Sequence, residues 1–504
     1  MSDGQMILVA GALIAAGLTA SIAAGRLRVP GLVLFLGVGM ALGSDGLGLI
    51  DFSDYGLART IGTVALALIL FEGGLSAGID EIRPVLGAAV GLAVVGTLAT
   101  AVLTGLAATW LFDLPLLQGL LLGSIVASTD GAAIFALLRG STLKRGVART
   151  LEGESGFNDP LAVLLVIGLI DWIQKPDYGI ADMAGLLFKE LGIGLIVGVA
   201  VGWLALQALR HARLGTEAAY PLGTLSAAAV AYGAAASLHG SGFLAVYLVG
   251  LGLGSRPFPA RRAAVVFHEG LAGLAQVTMF LVLGLLVFPS QLPDVAAEGT
   301  VLAVVLVLVA RPVATWLATV ATRFTLQEKG VLAWAGLRGA VPMVLATFPV
   351  IEAVPHSLDF FNIVFFAVLL STLLQGATFE PVAEALGVMV PSGETNEPRR
   401  AAPPLRSSAQ VSTTGPWDRA GGDPAYPKEV FGTPVRDQLL TRIDEPGALV
   451  RLADGRYAFT GPVASTGSAS ALQTVARRRL ARASSTAERA WWQDVIGSLA
   501  RGSA

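Results

Sequence analysis

The sequence predicts an all-α polytopic membrane protein with about 13 transmembrane helices and a small cytoplasmic C-terminal tail. Three observations predict it. Hydrophobic residues make up 54% of the chain and charged residues only 14%, against roughly 25% charged in a soluble domain. Mean hydropathy is +0.70. The apolar blocks end near residue 390, after which the composition turns polar.

A span needs ~20 largely apolar residues. Candidates lie at 5–25, 29–43, 57–77, 85–112, 115–138, 150–173, 183–209, 219–238, 242–254, 268–288, 299–321, 330–351 and 360–388. The N-terminus "MSDGQMILVA" lacks a basic n-region, so the first run reads as a retained span. Alternate loops carry Arg26 and Arg28; Arg83; Arg139, Lys144, Arg145 and Arg149; Arg210 and Arg213; Arg256, Arg261 and Arg262; Arg323 and Lys329. The other set has only Lys175, with Arg59 and Lys189 at nearby helix ends, and holds the acidic "SDGLGLIDFSDYG". Lys/Arg-rich short loops stay in the cytoplasm. The expected N-terminus is therefore outside, and the tail after thirteen crossings is cytoplasmic.

Two spans are interrupted. The fifth carries Ser128-Thr129-Asp130-Gly131 near its middle, and the twelfth carries Gly336-Leu337-Arg338-Gly339-Ala340-Val341-Pro342. Gly loosens a helix and Pro removes a donor. Such backbone is tolerated at membrane depth only where protein buries it or water lines it. The broken spans lie seven apart, an odd offset, so they cross in opposite directions. That predicts inverted repeats, with the two breaks crossing near the midplane at a binding site.

Ionisable residues inside spans are expensive and need a reason. Those present are Glu72, Asp130, Glu152, Glu154, Asp159, Arg311 and Arg338. Asp159 sits ~14 Å along its span, near the midplane. The i, i+3, i+7 spacing of Glu152, Ser155 and Asp159 puts them on one face, with Asn158 beside it. Ser155, Asn158, Thr129 and Asp130 give Asp159 an oxygen-rich surround, which suits a hard cation. Burial disfavours a bare carboxylate, so a proton or an alkali ion competes for Asp159. The expected metal ligands for a transported K+ or Na+ are Asp159, Ser155 and Thr129. Arg338 is expected to pair with Glu152 and hold the breaks together. Glu154, one residue off that face, competes for Arg338 or pairs with Arg149. Glu72 lines a cytoplasmic funnel or caps a helix end, and Arg311 is structural. His211, His239, His268 and His356 read as interfacial residues.

Other classes fit less well. There is no pore loop of the TVGYG kind and no HExxH, and the Ser of "ESGF" has no nearby His. A non-cation transporter of the same architecture keeps a small place. The chain is read as no enzyme, with no cofactor and no nucleic-acid partner. Its partners are the bilayer, H+ and K+ or Na+.

At these residues the chain resembles the monovalent cation:proton antiporters of the NhaP type. "STDGAA" at 128–133, "ESGFNDP" at 154–160 and "GLRGAVP" at 336–342 look like that family's signatures. "LARTIGTVALALILFEGG" and "FNIVFFAVLLSTLLQG" are similar to the CvrA-like potassium/proton branch. The resemblance covers about 5–390. It implies a six-helix core of spans four to six and eleven to thirteen, and a homodimer through the rest. It also implies that Asp159 is the shared cation/proton carboxylate, and that Asn158 goes with electroneutral exchange. Thr129 and Asp130 of the broken helix, Glu152 and Glu154, and Arg338 match the family's positions. The ion is tilted to K+, in the inner membrane of the cell, with roles in pH, cation and volume homeostasis.

The domains expected are a transmembrane exchanger at 1–390, a linker at 391–427 rich in Pro, Ser, Gly and charge, and a small tail region at 428–504. The tail carries no glycine-rich fingerprint, a departure from the long regulatory tails of the CvrA-like branch. "ALVRLADGRYAFTG" predicts a hairpin around Asp454-Gly455. The stretch ending in Trp491-Trp492 reads as basic helices, docked on a membrane or packed within the tail.

Overall fold

The computed structural model describes residues 11–20, 31–130, 143–211, 216–389, 449–451, 457–459 and 465–467, besides the single residues Gly4, Ile22 and Gln493. The chain divides into two compact units, Met1–Asn396 and Glu397–Ala504.

Among its described residues the first unit is helical, as hydrocarbon demands of a backbone that must satisfy its own polar groups. Its helices are α1 Gly11–Ala20, α2 Gly31–Leu42, α3 Tyr55–Ala77, α4 Ile79–Leu111, α5 Leu116–Ala127, α6 Arg145–Gln174, α7 Ile180–His211 and α8 Ala219–Ser237. Then follow α9 Gly242–Gly254, α10 Arg261–Leu285, α11 Pro289–Ala318, α12 Leu326–Trp334, α13 Ala340–Ile351 and α14 Ser357–Ala385. Seven of these, α3, α4, α6, α7, α10, α11 and α14, are long and apolar enough to cross a membrane. Large apolar side chains such as Trp110 (83% exposed), Phe188 and Trp203 face outward, which is what a lipid-facing surface requires.

Several helices begin outside the predicted apolar windows. α6 starts at Arg145 rather than 150, and α11 at Pro289 rather than 299. Hydropathy marks membrane depth, whereas a helix continues through polar turns until its caps. α3 starts where Asp54 accepts from the Leu57 N–H at 2.9 Å and stops at Gly78, whose φ of 68° favours glycine. α12 starts on a capping box, with Thr325 and Glu328 each bonding the other's backbone N–H.

Both predicted interruptions are present on the described side of each break. α5 ends at Ser128, which is extended at φ −66° and ψ 140°. α12 stops at Trp334 and α13 resumes at Ala340. Residues 131–138, the predicted remainder of the fifth span, lie outside the described residues, as do the loop residues Arg26, Arg28, Arg139 and Arg213. Two further irregularities have no counterpart in the sequence reading. α4 contains a π-helical turn at Leu92–Gly96 and α11 another at Leu306–Ala310. They fall in the fourth and eleventh candidate spans, again seven apart.

α3 and α9 cross so closely that side chains are excluded between them. A Cβ on Gly74 would lie 2.6 Å from the Tyr247 carbonyl oxygen, and one on Gly250 2.5 Å from that of Phe71. Beside the end of α14, Lys144 N–H donates to the Val388 carbonyl at 3.1 Å and Leu143 pairs with Met389. The Lys144 ammonium also meets Glu328 at 3.1 Å. The segment entering α6 is thus tied to the end of α14 and to α12.

The second unit contains a three-stranded antiparallel meander, β1 Leu449–Arg451, β2 Tyr457–Phe459 and β3 Ser465–Gly467. Leu449 faces Phe459 and Arg451 faces Tyr457, and the predicted turn at Asp454-Gly455 lies outside the described residues. The expected linker at 391–427 and the basic helices ending in Trp491-Trp492 lie outside the described residues.

Candidate functional site

The two breaks are bonded to each other. Asp130 N–H donates to the Leu337 carbonyl at 2.9 Å. Arg338 Nη1 donates to the carbonyls of Ala127 at 2.6 Å and Ser128 at 2.8 Å. Those carbonyls are the unpaired, negative end of α5, so a guanidinium is the group the break calls for. α14 completes the second break. Ser371 accepts from the Arg338 N–H at 3.1 Å, Thr372 donates to the Arg338 carbonyl at 2.8 Å, and Gln375 donates to the Trp334 carbonyl at 2.9 Å. A Cβ at Gly339 would overlap the Asp130 carboxylate. That carboxylate therefore lies against the N-terminal, positive end of α13.

Asp159 faces this crossing from α6. It is 1% exposed, and Ser128 Oγ donates to its Oδ1 at 2.6 Å. Asn158 Nδ2 donates to Thr129 Oγ1 at 2.5 Å, and Thr129 Oγ1 lies 3.2 Å from Ser155 Oγ. Pro160 follows Asp159 inside the helix and brings no N–H for the Gly156 carbonyl. The structure brings together Asp159, Asn158, Ser155, Thr129 and Asp130. Among the described residues no Lys, Arg or His forms an ion pair with Asp159.

The expected arginine pairing is corrected. Glu154 takes Nη1 and Nη2 of Arg311, at 2.5 and 2.8 Å, and each partner is almost fully buried. Arg311 also donates to the Leu332 carbonyl of α12 at 3.2 Å. Glu152 pairs with Arg149 at 2.5 Å, an i, i+3 contact within α6. Arg149 and Arg145 both bond Glu81. Arg338 is therefore bound to neither Glu152 nor Glu154. Its Nη1 is taken by backbone carbonyls, while its Nε and Nη2 have no hydrogen-bond partner among the described residues, and Glu152 lies seven residues, ~10 Å, back along α6 from Asp159.

Glu72 stands apart from this cluster. It is half-buried on α3, accepts from Ser76 Oγ at 2.7 Å, and lies in electrostatic range of Glu152. His268, expected at the interface, is buried, with Nε2 2.8 Å from Thr224 Oγ1 and its ring edge-on to Phe71.

A cavity opens at the crossing. It is lined by Leu66, Ile69 and Leu70 of α3, Gly156 and Asp159 of α6, Tyr247 of α9, Met279 of α10, and Asp130, Ala340 and Val341. Its polar side chains are two carboxylates and one phenol. Sequence reasoning missed two of the contributors. Ser128 stood in the quoted break but was given no role. Tyr247 sits sixth in a thirteen-residue apolar helix, too deep for an interfacial aromatic, and that depth was the available signal.

A buried carboxylate among hydroxyls, facing the ends of half-helices, can hold a small hard cation or a proton. The sodium/hydrogen exchanger transmembrane family matches residues 11–385. The chain belongs to this family. It is a multi-pass membrane cation/proton antiporter, a transporter rather than an enzyme. It is 39% identical over 420 residues to the K(+)/H(+) antiporter NhaP2 of Shewanella sp. (strain ANA-3), covering 83% of this chain and 72% of that one. The K(+)/H(+) antiporter NhaP of Alkalimonas amylolytica is 41% identical over 389 residues, with 76% and 67% covered. The Na(+)/H(+) antiporter NhaH of Halobacillus aidingensis is 26% identical over 404 residues, with 75% and 96% covered. The structure of the sodium proton antiporter MjNhaP1 from Methanocaldococcus jannaschii at pH 8 superposes with a TM-score of 0.66 at 26% identity, covering 76% of this chain and 99% of that one.

Proposed function

We propose that the protein exchanges K+ for H+ by competition at Asp159. The observation that carries this reading is a buried carboxylate with a hydroxyl donor and, among the described residues, no counter-ion, set where two interrupted helices cross. A proton or an alkali ion supplies the missing positive charge. Ser128, Ser155 and Thr129 offer neutral oxygens beside it. Only the loaded carboxylate crosses between inward and outward states, because a bare one in a low-dielectric interior is costly. Each cation moved one way then returns a proton. Asn158, an amide where a second carboxylate would add charge, supports one proton per cation and hence electroneutral exchange.

Potassium is favoured over sodium because the relatives named for K+ are 39–41% identical to this chain and the one named for Na+ 26%. A Na+/H+ antiporter of the same mechanism is the second reading. The proposed topology has thirteen crossings with inverted repeats, the N-terminus outside and the tail cytoplasmic, in the inner membrane. It follows from the alternation of basic loops. Residues 1–390 form the exchanger, 391–427 a flexible linker and 428–504 a tail region. A homodimer through helices outside the six-helix core is supported by α7, only 17% of whose most apolar window is buried.

The test is dequenching of a pH probe in everted vesicles on addition of KCl or NaCl, across pH 6.5–9. Wild type responds, with the greater response to K+, and Asp159→Asn abolishes it while the protein still reaches the membrane. A silent wild type, or an unchanged response in Asp159→Asn, rejects the reading.

A further inference from the structure

We propose that Tyr247 is a ligand of the transported ion and fixes which alkali cation the site prefers. This rests on cation/proton exchange at Asp159 and adds a residue that neither the motifs nor the family match supplies.

Tyr247 is 0% exposed and lines the same cavity as Asp130 and Asp159. Among the described residues that hydroxyl has no hydrogen-bond partner. Leaving a buried hydroxyl unmatched is unfavourable, because its hydration is lost with nothing in return. The ring itself does not need it. It packs on Gly156, where a Cβ would overlap it, and stands edge-on to Phe157 at 5.2 Å. A phenylalanine would make both contacts without the polar cost. The phenol is therefore matched to something that enters the cavity, and beside two carboxylates that species is a cation.

Position explains preference. The other polar groups of the site come from α5, α6 and the breaks, whereas Tyr247 comes from α9. The remaining cavity side chains on that side, from α3 and α10, are apolar. α9 is held against α3 by the backbone contacts at Gly74 and Gly250, so its side chain cannot drift. A phenol is also rigid, with two rotatable bonds. The ring is seated on Gly156, less than one turn from Asp159, so its place beside Asp159 is set by helix packing, and alkali ions of different radius fill a fixed space unequally. A phenol oxygen accepts as a neutral ligand, so it weighs size without adding charge.

The experiment measures half-saturation for K+ and Na+ in everted vesicles for wild type and Tyr247→Phe, which keeps the ring. The expected result is a half-saturation for the preferred ion raised about 3- to 10-fold, the range of one neutral hydrogen-bond-strength contact, with the K+/Na+ ratio shifted at least about threefold. Purified protein gives an independent reading, since an ion bound by the folded state raises its melting temperature and the variant should lose part of that rise. If Tyr247→Phe does not fold, 3-fluorotyrosine at 247 keeps the ring and weakens the oxygen as a ligand. An unchanged ratio overturns the proposal, as does an equal rise for both ions. A wild type without any ion response instead rejects the exchange reading itself.

Discussion

Glu154 and Asp159 lie five residues apart on one helix, and each is 1% exposed. Glu154 is held by both terminal nitrogens of Arg311. Asp159 receives one hydroxyl, from Ser128. Equal burial has produced opposite chemistry. A bidentate guanidinium is a permanent counter-ion, which fixes α6 to α11 and leaves the carboxylate nothing to exchange. A hydroxyl orients a carboxylate without neutralising it, so the charge must be met by a species that can leave. Depth in the membrane does not identify a transport carboxylate; the nature of its partner does.

The largest effect expected from this contrast is structural. Glu154→Gln leaves Arg311 charged and buried, at about 3–5 kcal/mol, so thermal unfolding of the purified protein should move down sharply. The double variant Glu154→Leu with Arg311→Met should recover most of that loss, because apolar groups of similar volume replace a buried ion pair at little cost. Asp159→Asn has no ion pair to break and should melt near wild type while transport is lost. If Glu154→Gln melts like wild type, the two carboxylates are not distinct in kind.

Ser128→Ala sharpens the other side of the comparison. A hydrogen bond to a charged group is worth about 1.5–3 kcal/mol, so the cation half-saturation at fixed pH should rise about tenfold or more with melting little changed. No change would show that the hydroxyl only packs there. The smallest effect belongs to Lys144→Gln. Its pair with Glu328 is 45% exposed on the lysine side, and exposed pairs contribute about 0.2–1 kcal/mol. Its melting should stay within that range, well above that of Glu154→Gln.

Much of this arrangement was readable from the chain because two signals are local. Hydropathy runs mark membrane depth, and Gly-rich or Pro-containing interruptions mark broken helices, so Asp159, Thr129, Ser155 and Asp130 could be grouped before any coordinates. Partner choice was not local. Arg311 meets Glu154 only because α11 crosses α6 there. Arg338 is drawn to the open carbonyls of α5, which no pattern of carboxylates announces. The contact of Ser128 with Asp159 depends on the direction of a hydroxyl leaving extended backbone, and the placement of Tyr247 at the cavity on a close crossing between α3 and α9. The π-helical turns in α4 and α11 have no residue signature in their plain apolar runs, Leu92–Gly96 and Leu306–Ala310.

The bond from Arg338 to Ala127 spans 211 residues of chain. At roughly 5–20 residues per second, the ribosome takes about 10–40 s to supply that guanidinium after α5 has been made. Through that interval the end of α5 waits with open carbonyls in the translocon or bilayer, and α5 cannot be completed by the first half of the protein alone. The proposed ion site is therefore among the last parts of the membrane unit to mature. A chain released before Arg338 would hold Asp159, Thr129 and Ser155 in full and still lack the partner that closes the site around them.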